Sequence, residues 1–600
     1  MGWYAKKMKK KFIIGLGIIS VLVLVLVSVL VFIIFSSTKA SSLNILPSKQ
    51  KEIIPQEVVS FVSPHHLVAK EIIENIFQKV AEKNKNISVE SIILVSPNHK
   101  NAGNGWVAVS GEARNIENKI VEPNAKLVEF LVAEKLAYRQ DEIFHGEHGI
   151  ENLLPYAKKY FPQAKITSLM IGDGYPDAKA QILAEKLAGF DNQKTILILS
   201  ADFSHYIGKT ISEFHDQKAI SVLSNLELEK AKNMDIDCPG GLYLLMKYAA
   251  LKKCEQFNLV DNANSAKIYK QDFIAENTSY ITGYYSTGTK KIIENASLFF
   301  AGDVMLDRQI RTVMKNKSVD FLTEKMKRIF LGPDEIIFNL EGPVTNNNSV
   351  SQNTIPGEKN HTSFTFDFET TKNFLKNTKT KTVFLGNNHI WDFGQVGWDE
   401  TRNFLAKNNI SYFGDAKKIN ESAIKKISGK KVAFVAFNQF LGNNSDVVSA
   451  NISELKKTND FVVLYAHWGI EYARTENEKQ KTLAHNFIDA GADLVIGSHP
   501  HVVEPIEIYK NKVIFYSLGN FIFDQYFSPE TMEGLAVGMS MQDDKLDFYL
   551  SPLNLNRDGS TTISAGKKKD NLLLWLAENS NISSELKNNI KSGHFQINKK

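Results

Sequence analysis

The pattern of apolar and polar positions divides the chain before any single residue is considered. Phe12 to Phe35 is an uncharged, predominantly apolar run preceded by Lys6, Lys7, Lys9, Lys10 and Lys11. As a helix it reaches about 36 Å, more than the ~30 Å hydrocarbon core of a bilayer. A cleaved signal peptide is the alternative, but such apolar regions usually run about 7–15 residues, and the best cleavage pattern here is the weak Thr38-Lys39-Ala40. The lysines before the run, against Lys39 after it, place the N-terminus in the cytoplasm. The pattern therefore predicts a basic cytoplasmic tail over 1–11, a single transmembrane helix over 12–35, and everything beyond it outside the cell membrane. Residues 36–57, with Pro47 and Pro55, read as a linker.

Helical and strand periods alternate after the linker. Leu67, Ile72, Ile73, Ile76, Phe77 and Val80 form a helical stripe within His66 to Glu82, and Ser91 to Val95 is a short apolar strand run. Thr195 to Leu199 reads as a buried strand, followed by a helix through Leu226 and another over Gly241 to Leu251. Ser286, Thr287, Gly288 and Thr289 break the pattern, and a fresh strand starts at Leu298. Apolar runs at 336–338, 382–385, 432–437, 462–465, 494–496 and 513–516 follow, most of them ending directly in polar residues. Two α/β domains are expected, over 58–286 and 296–545, with 546–600 as a C-terminal extension of the second.

Composition narrows the partners. A net charge of +5 spread over 600 residues leaves no footprint for nucleic acid. Only Cys238 and Cys254 are present, which excludes a disulfide framework and leaves one Cys238–Cys254 bridge as the bland use of the thiols.

In the second half, the ends of the apolar runs carry Gly302-Asp303, Asn339-Leu340-Glu341, Asn387-Asn388-His389, His467-Trp468-Gly469 with Glu471, and His499-Pro500-His501. Carboxylate, amide oxygen and imidazole are the donor set for divalent ions in hydrolytic chemistry. Sites in α/β sheets form outside the carboxyl ends of strands. With Phe300-Ala301-Gly302-Asp303-Val304-Met305-Leu306, Asn339-Leu340-Glu341-Gly342-Pro343 and Ser517-Leu518-Gly519-Asn520-Phe521 added, this half resembles the CapA family linked to poly-γ-glutamate capsule synthesis. The resemblance implies a calcineurin-like metallophosphoesterase-type α/β sandwich. It also implies metal ligation by Asp303, Glu341, Asn388, His467, His499 and His501, with His389 as catalytic acid or transition-state donor, and Mn, Zn or Mg as the metal. Met305 stands where metallophosphoesterases carry a ligating histidine, and Glu341 where they carry a bridging aspartate.

In the first half the candidate donors are His65 and His66, His99, Glu147-His148, Asp202 with His205, and Cys238. Two imidazoles with a thiolate or carboxylate suit Fe, Cu or Zn. Capping or core hydrogen bonding is the plain alternative for His148 and His205. Through Ser63-Pro64-His65, Leu94-Val95-Ser96-Pro97-Asn98-His99, Glu147-His148-Gly149, Ser200-Ala201-Asp202-Phe203-Ser204-His205 and Cys238, this half is similar to the MEMO family, component B of the AmmeMemoRadiSam trio. That family shares its α/β fold with class III extradiol dioxygenases. The resemblance implies His65, His99 and Cys238 as metal ligands, with His148, Asp202 and His205 lining the pocket. The family's Pro-His-Ala-Gly-Tyr reads Pro64-His65-His66-Leu67-Val68 here, so His66 is an alternative ligand, and Lys100 brings a positive charge nearby.

These readings lead to a membrane-anchored, extracytoplasmic protein of capsule or poly-γ-glutamate-type polymer synthesis or export, with a metal-dependent hydrolase-type site. Its expected partners are the membrane, polymer synthase or export components, and an anionic or γ-linked polymer. A non-catalytic accessory protein of such a complex and a cell-surface phosphoesterase are the alternatives.

Overall fold

A computed structural model describes residues 57–599 except 117, 191–193, 272–275, 416–420, 441 and 443–444. The expected tail, transmembrane helix and linker up to residue 56 thus lie outside the described residues. Among the described residues, no helix is long and apolar enough to cross a membrane.

The first half builds one eight-stranded sheet. Its order is Tyr138–Arg139, Val107–Val109, Lys165–Ile171, Ser91–Pro97, Thr195–Ser200, Val58–Ser63, Ser279–Ser286 and Gln256–Asn264. The four strands from Lys165–Ile171 to Val58–Ser63 run parallel, and the last two are antiparallel. Helices cover both faces, which is why the central strands read as unbroken apolar runs. Leu197 and Leu199 point into one core with Leu183 and Leu187 of helix Asp177–Phe190 and Leu242 and Leu245 of helix Pro239–Leu251. Ile196 and Ile198 point into the other, with Ile73, Ile76, Phe77 and Val80 of helix Lys70–Lys83. The stripe expected from His66 begins as a helix only at Lys70. His66 is extended and a 3-10 turn spans Leu67–Ala69, because the chain must first turn out of the sheet edge.

The second half is a sandwich of a nine-stranded and a six-stranded sheet. Phe300, Ile337 and Phe384 from one sheet interdigitate with Phe434, Val463, Tyr465 and Ile496 from the other. Helices Phe368–Asn377 and Gly394–Lys407 cover the outer face of the larger sheet through Phe374, Leu375, Trp398 and Leu405. Helices Ser445–Lys456 and Glu478–Asp489 cover the smaller through Val448, Ile452, Ala484 and Phe487. The chain's last strand, His594–Asn598, pairs with Lys545–Leu555, so the C-terminal residues close the same sandwich. Near its site edge two main chains touch directly. A Cβ at Gly302 would lie 1.8 Å from the Gly519 carbonyl oxygen, and one at Gly497 1.8 Å from that of Tyr516.

Helix Lys209–Asn225 joins the two halves and is buried on more than one side. Phe214 lies against Tyr549, ring centroids 5.6 Å apart. The ammonium of Lys218, 1 % exposed, sits 2.8 Å from Asp334 Oδ2 and 3.1 Å from Ser428 Oγ. Lys230 reaches the other Asp334 oxygen at 3.2 Å, and Arg328 Nη1 donates to Asp235 Oδ1 at 2.6 Å.

Two candidate metal centres

The first centre grows from the parallel register. Strands Val58–Ser63, Thr195–Ser200 and Ser91–Pro97 are neighbours, and His65, Asp202 and His99 each lie two residues beyond the strand end. Parallel pairing of Ser63 with Ser200 therefore delivers the donors to one edge. The backbone N–H of His65 donates to Asp202 Oδ1 at 3.2 Å, and its Nε2 lies 3.6 Å from Asp202 Oδ2 and 3.5 Å from Asp237 Oδ2. His99 Nδ1 lies 2.6 Å from Glu147 Oε1, and its Nε2 3.8 Å from Asp237 Oδ2. His148 stacks on His99 with centroids 4.0 Å apart. His205 Nε2 is 3.9 Å from both Asp202 and Asp237, and His66 Nδ1 is 3.4 Å from Asp202 Oδ2.

The donor atoms of His65, His99 and His148 form one set close enough to share an ion, and those of His65, Asp202 and Asp237 another. Cys238 joins neither. Its thiol is buried at the N-cap of helix Pro239–Leu251, close to Gly241, and burial raises its pKa. Asp237, one residue earlier, brings its carboxylate into the second of these sets. The signal for it was an acid immediately before the Cys-Pro helix start, and the sequence reading passed over it. Cys254 is also a free thiol, so no disulfide joins the pair. Cys238→Ser should accordingly leave the metal content of this half unchanged, whereas Asp237→Asn should lower it; elemental analysis of the two purified variants decides.

Charge in the first centre is unevenly held. Burial keeps the His65 imidazole neutral, its pKa lowered to about 3. Burial and the Asp237 charge push Asp202 well above the carboxylate range. Burial also opposes protonation of His99, but its bonds to Asp237 and Glu147 outweigh that and raise it to about 9. The His99 contribution to stability is thus complete below the ordinary histidine value of ~6.5 and fades as pH rises from there to 9. In a proton NMR titration of the metal-free protein, His99 should titrate near 9 and fall by roughly a unit or more in Glu147→Gln.

The second centre lies where the carboxyl ends of both sheets meet. Asp303 closes strand Ala296–Val304, Glu341 follows Glu335–Leu340, His467 ends Phe461–His467, and His499 follows Leu494–Ser498. Asn339 Nδ2 bridges Asp303 Oδ1 at 2.8 Å and Glu341 Oε2 at 3.1 Å. His467 Nε2 lies 2.9 Å from Asn388 Oδ1 and 3.2 Å from His499 Nδ1. His501 Nδ1 is 3.2 Å from Asp303 Oδ2, and its Nε2 3.5 Å from Glu341 Oε1. His499 and His501 both adopt positive φ, +96° and +59°, an unfavourable conformation that turns both imidazoles inward around Pro500. All six sequence-derived ligand positions are therefore neighbours. His389 stands beside them, its Nδ1 3.0 Å from Asp392 Oδ2, on a cleft of about 740 Å³.

Both centres have the marks of cation sites. Among the described residues, no hydrogen-bond donor reaches the buried oxygens Glu341 Oε1 and Asp202 Oδ2. Burial and neighbouring Asp303 drive the Glu341 pKa well up, while burial and the charges of His499 and His501 drive that of His467 well down. Crowded carboxylates with neutral imidazoles form a donor set that a divalent ion satisfies. Met305 takes no part: its buried thioether accepts the Asp307 N–H at 3.0 Å and lies within the apolar cluster of the outer layer.

Residues 297–525 match the family model described as bacterial capsule synthesis protein PGA_cap, and residues 36–281 that of Memo-like protein. The "PGA biosynthesis protein CapA" of Bacillus subtilis (strain 168) is 33% identical over 299 residues, covering 46% of this chain and 75% of that protein. The "Capsule biosynthesis protein CapA" of Bacillus anthracis is 28% identical over 308 residues, 48% of this chain and 74% of that one. A "MEMO1 family protein" of Aquifex aeolicus is 29% identical over 146 residues, 24% of this chain and 53% of that one.

Proposed function

For a chain that belongs to the CapA family of bacterial capsule synthesis proteins and carries a Memo-like half in the same polypeptide, we propose a membrane-anchored, extracytoplasmic enzyme acting on a poly-γ-glutamate-type polymer during its synthesis or export. One observation carries the reading: Asp303, Glu341, Asn388, His467, His499 and His501 converge, with a buried Glu341 oxygen left without a hydrogen bond. These residues would hold one or two divalent ions, Mn, Zn or Mg, in a calcineurin-like arrangement. Such an ion supplies Lewis acidity and lowers the pKa of water.

The chain's own residues do the rest. Asp392 on His389 Nδ1 fixes that ring's tautomer and leaves Nε2 as the atom that exchanges a proton with a leaving group. Asn339 holds the two acids apart and in place. The cleft bearing His389 also exposes Tyr472 and Phe527, an apolar shelf for a polymer backbone. Met305 favours a second reading, a non-catalytic accessory of the polymer complex, because it withholds the ligand that a full phosphoesterase pair requires.

The test is divalent-metal binding with cleavage of a γ-linked glutamate oligomer and of a generic phosphodiester, in wild type and His499→Ala. Metal-dependent cleavage of the oligomer, lost in the variant, supports the enzyme. Cleavage of the phosphodiester alone supports the surface phosphoesterase, and no metal binding with an intact polymer phenotype in His499→Ala leaves the accessory role. Protease shaving of intact cells tests the orientation: protection of everything beyond residue 41 would refute it.

A further inference from the structure

Beside the first centre lies a cleft of about 790 Å³ whose lining crosses from one half of the protein to the other. His99 and Asp237 form the side that belongs to the centre, and the first turn of helix Pro239–Leu251 forms a wall. Arg328 of the CapA-like half also lines it, with Lys232. We propose that this cleft is a composite binding site for a small acidic ligand, one end directed at the His65/His99/Asp237 centre and the other, a carboxylate or phosphate, held by Arg328. The volume is in the range of sites for small organic ligands.

The charges decide the ligand class. Asp237 faces the imidazoles, and Lys232 has Asp177 within 3.8 Å. Asp173 is the remaining acid of the lining. Arg328 is different: among the described residues its guanidinium meets one hydrogen-bonding partner, Asp235, through Nη1. Asp235 is itself buried and bonded to His215 Nδ1 at 3.1 Å, so it anchors the arginine rather than covering it. A half-exposed guanidinium with one arm fixed keeps N–H groups for a planar oxyanion. The wall adds to this, since a helix N-terminus presents positive partial charge. The Memo-like half alone therefore lacks part of the cleft's lining, and the other half supplies its guanidinium.

The test uses the full chain loaded with metal, titrated calorimetrically with glutarate, with 3-phosphonopropionate, and with uncharged glutaramide. Either acid should bind and the amide should not, and the tighter acid identifies the head group. Arg328→Gln should weaken the acid about tenfold or more, and Arg328→Lys should recover most of it, at unchanged metal content. His99→Ala should abolish binding while His499→Ala leaves it intact, which separates this cleft from the CapA-like centre. Equal binding of acid and amide, an unchanged affinity in Arg328→Gln, or loss of binding in His499→Ala would each overturn the proposal.

Discussion

Glu341→Gln should move the second centre in two directions at once, abolishing tight divalent-metal binding while making the metal-free protein more stable. In the metal-free state Asp303 and Glu341 are both fully buried and share one amide, Asn339 Nδ2, with Glu341 Oε1 left without a hydrogen bond. Burial and the Asp303 charge push the Glu341 pKa far upward, which means that ionising it costs folding free energy at neutral pH. An amide, which has no proton to take up on folding, relieves that cost, by about 1–3 kcal/mol. A bound cation reverses the balance, because it stabilises the ionised carboxylate that the empty site disfavours. Loss of one carboxylate ligand should weaken affinity by about a hundredfold or more. Thermal melts with and without chelator show both effects: metal should raise the melting temperature of wild type and not of the variant, and the variant should melt higher in chelator. If metal stabilises the two equally, Glu341 is not a ligand.

The second large effect is expected where the two halves dock. Asp334→Ala should destabilise the protein by about 3–5 kcal/mol, since it strands a buried lysine and a half-buried one together. Lys218 and Lys230 share the two oxygens of Asp334, which also accepts the Ser297 N–H at 3.0 Å. Both ammonium groups draw the Asp334 pKa down against the opposing effect of burial, so its contribution is present above the ordinary aspartate value of ~3.9 and is lost as pH falls through the depressed one. Urea unfolding at pH 7 checks the magnitude. A loss under 1 kcal/mol would mean that water enters the interface and solvates the lysines.

The strand-end donors were legible because two signals coincide there: an apolar run says where a strand stops, and ligand-type residues follow it. That rule finds His65, His99, Asp202, Asp303, Glu341 and His499 without knowledge of which strands are neighbours. It fails at Cys238 and Asp237, which follow no strand. There the start of helix Pro239–Leu251 decides which of two adjacent side chains faces the centre, and adjacent residues at a helix start point in different directions. Asn339 was visible in its motif, but its bridging role depends on the pairing of Asp303 with Asn339 across two strands. Arg328 and Asp334 carried no local signal at all. Their partners lie 93 and 116 residues away in the chain, and only the docking of helix Lys209–Asn225 against the sandwich brings them together.

The contact between Gly302 and Gly519 has a further consequence for how the second centre meets its ion. Asp303 N–H donates to the Gly519 carbonyl at 3.0 Å, so Asp303 is fixed by main chain to the segment carrying Asn520, whose Oδ1 in turn lies 3.0 Å from His501 Nδ1. Asp303 and His501 are thus tied to one backbone segment before any cation arrives, and a cation bound between them has less chain to order. Metal exchange should then be a matter of dehydration and diffusion through the cleft rather than of refolding.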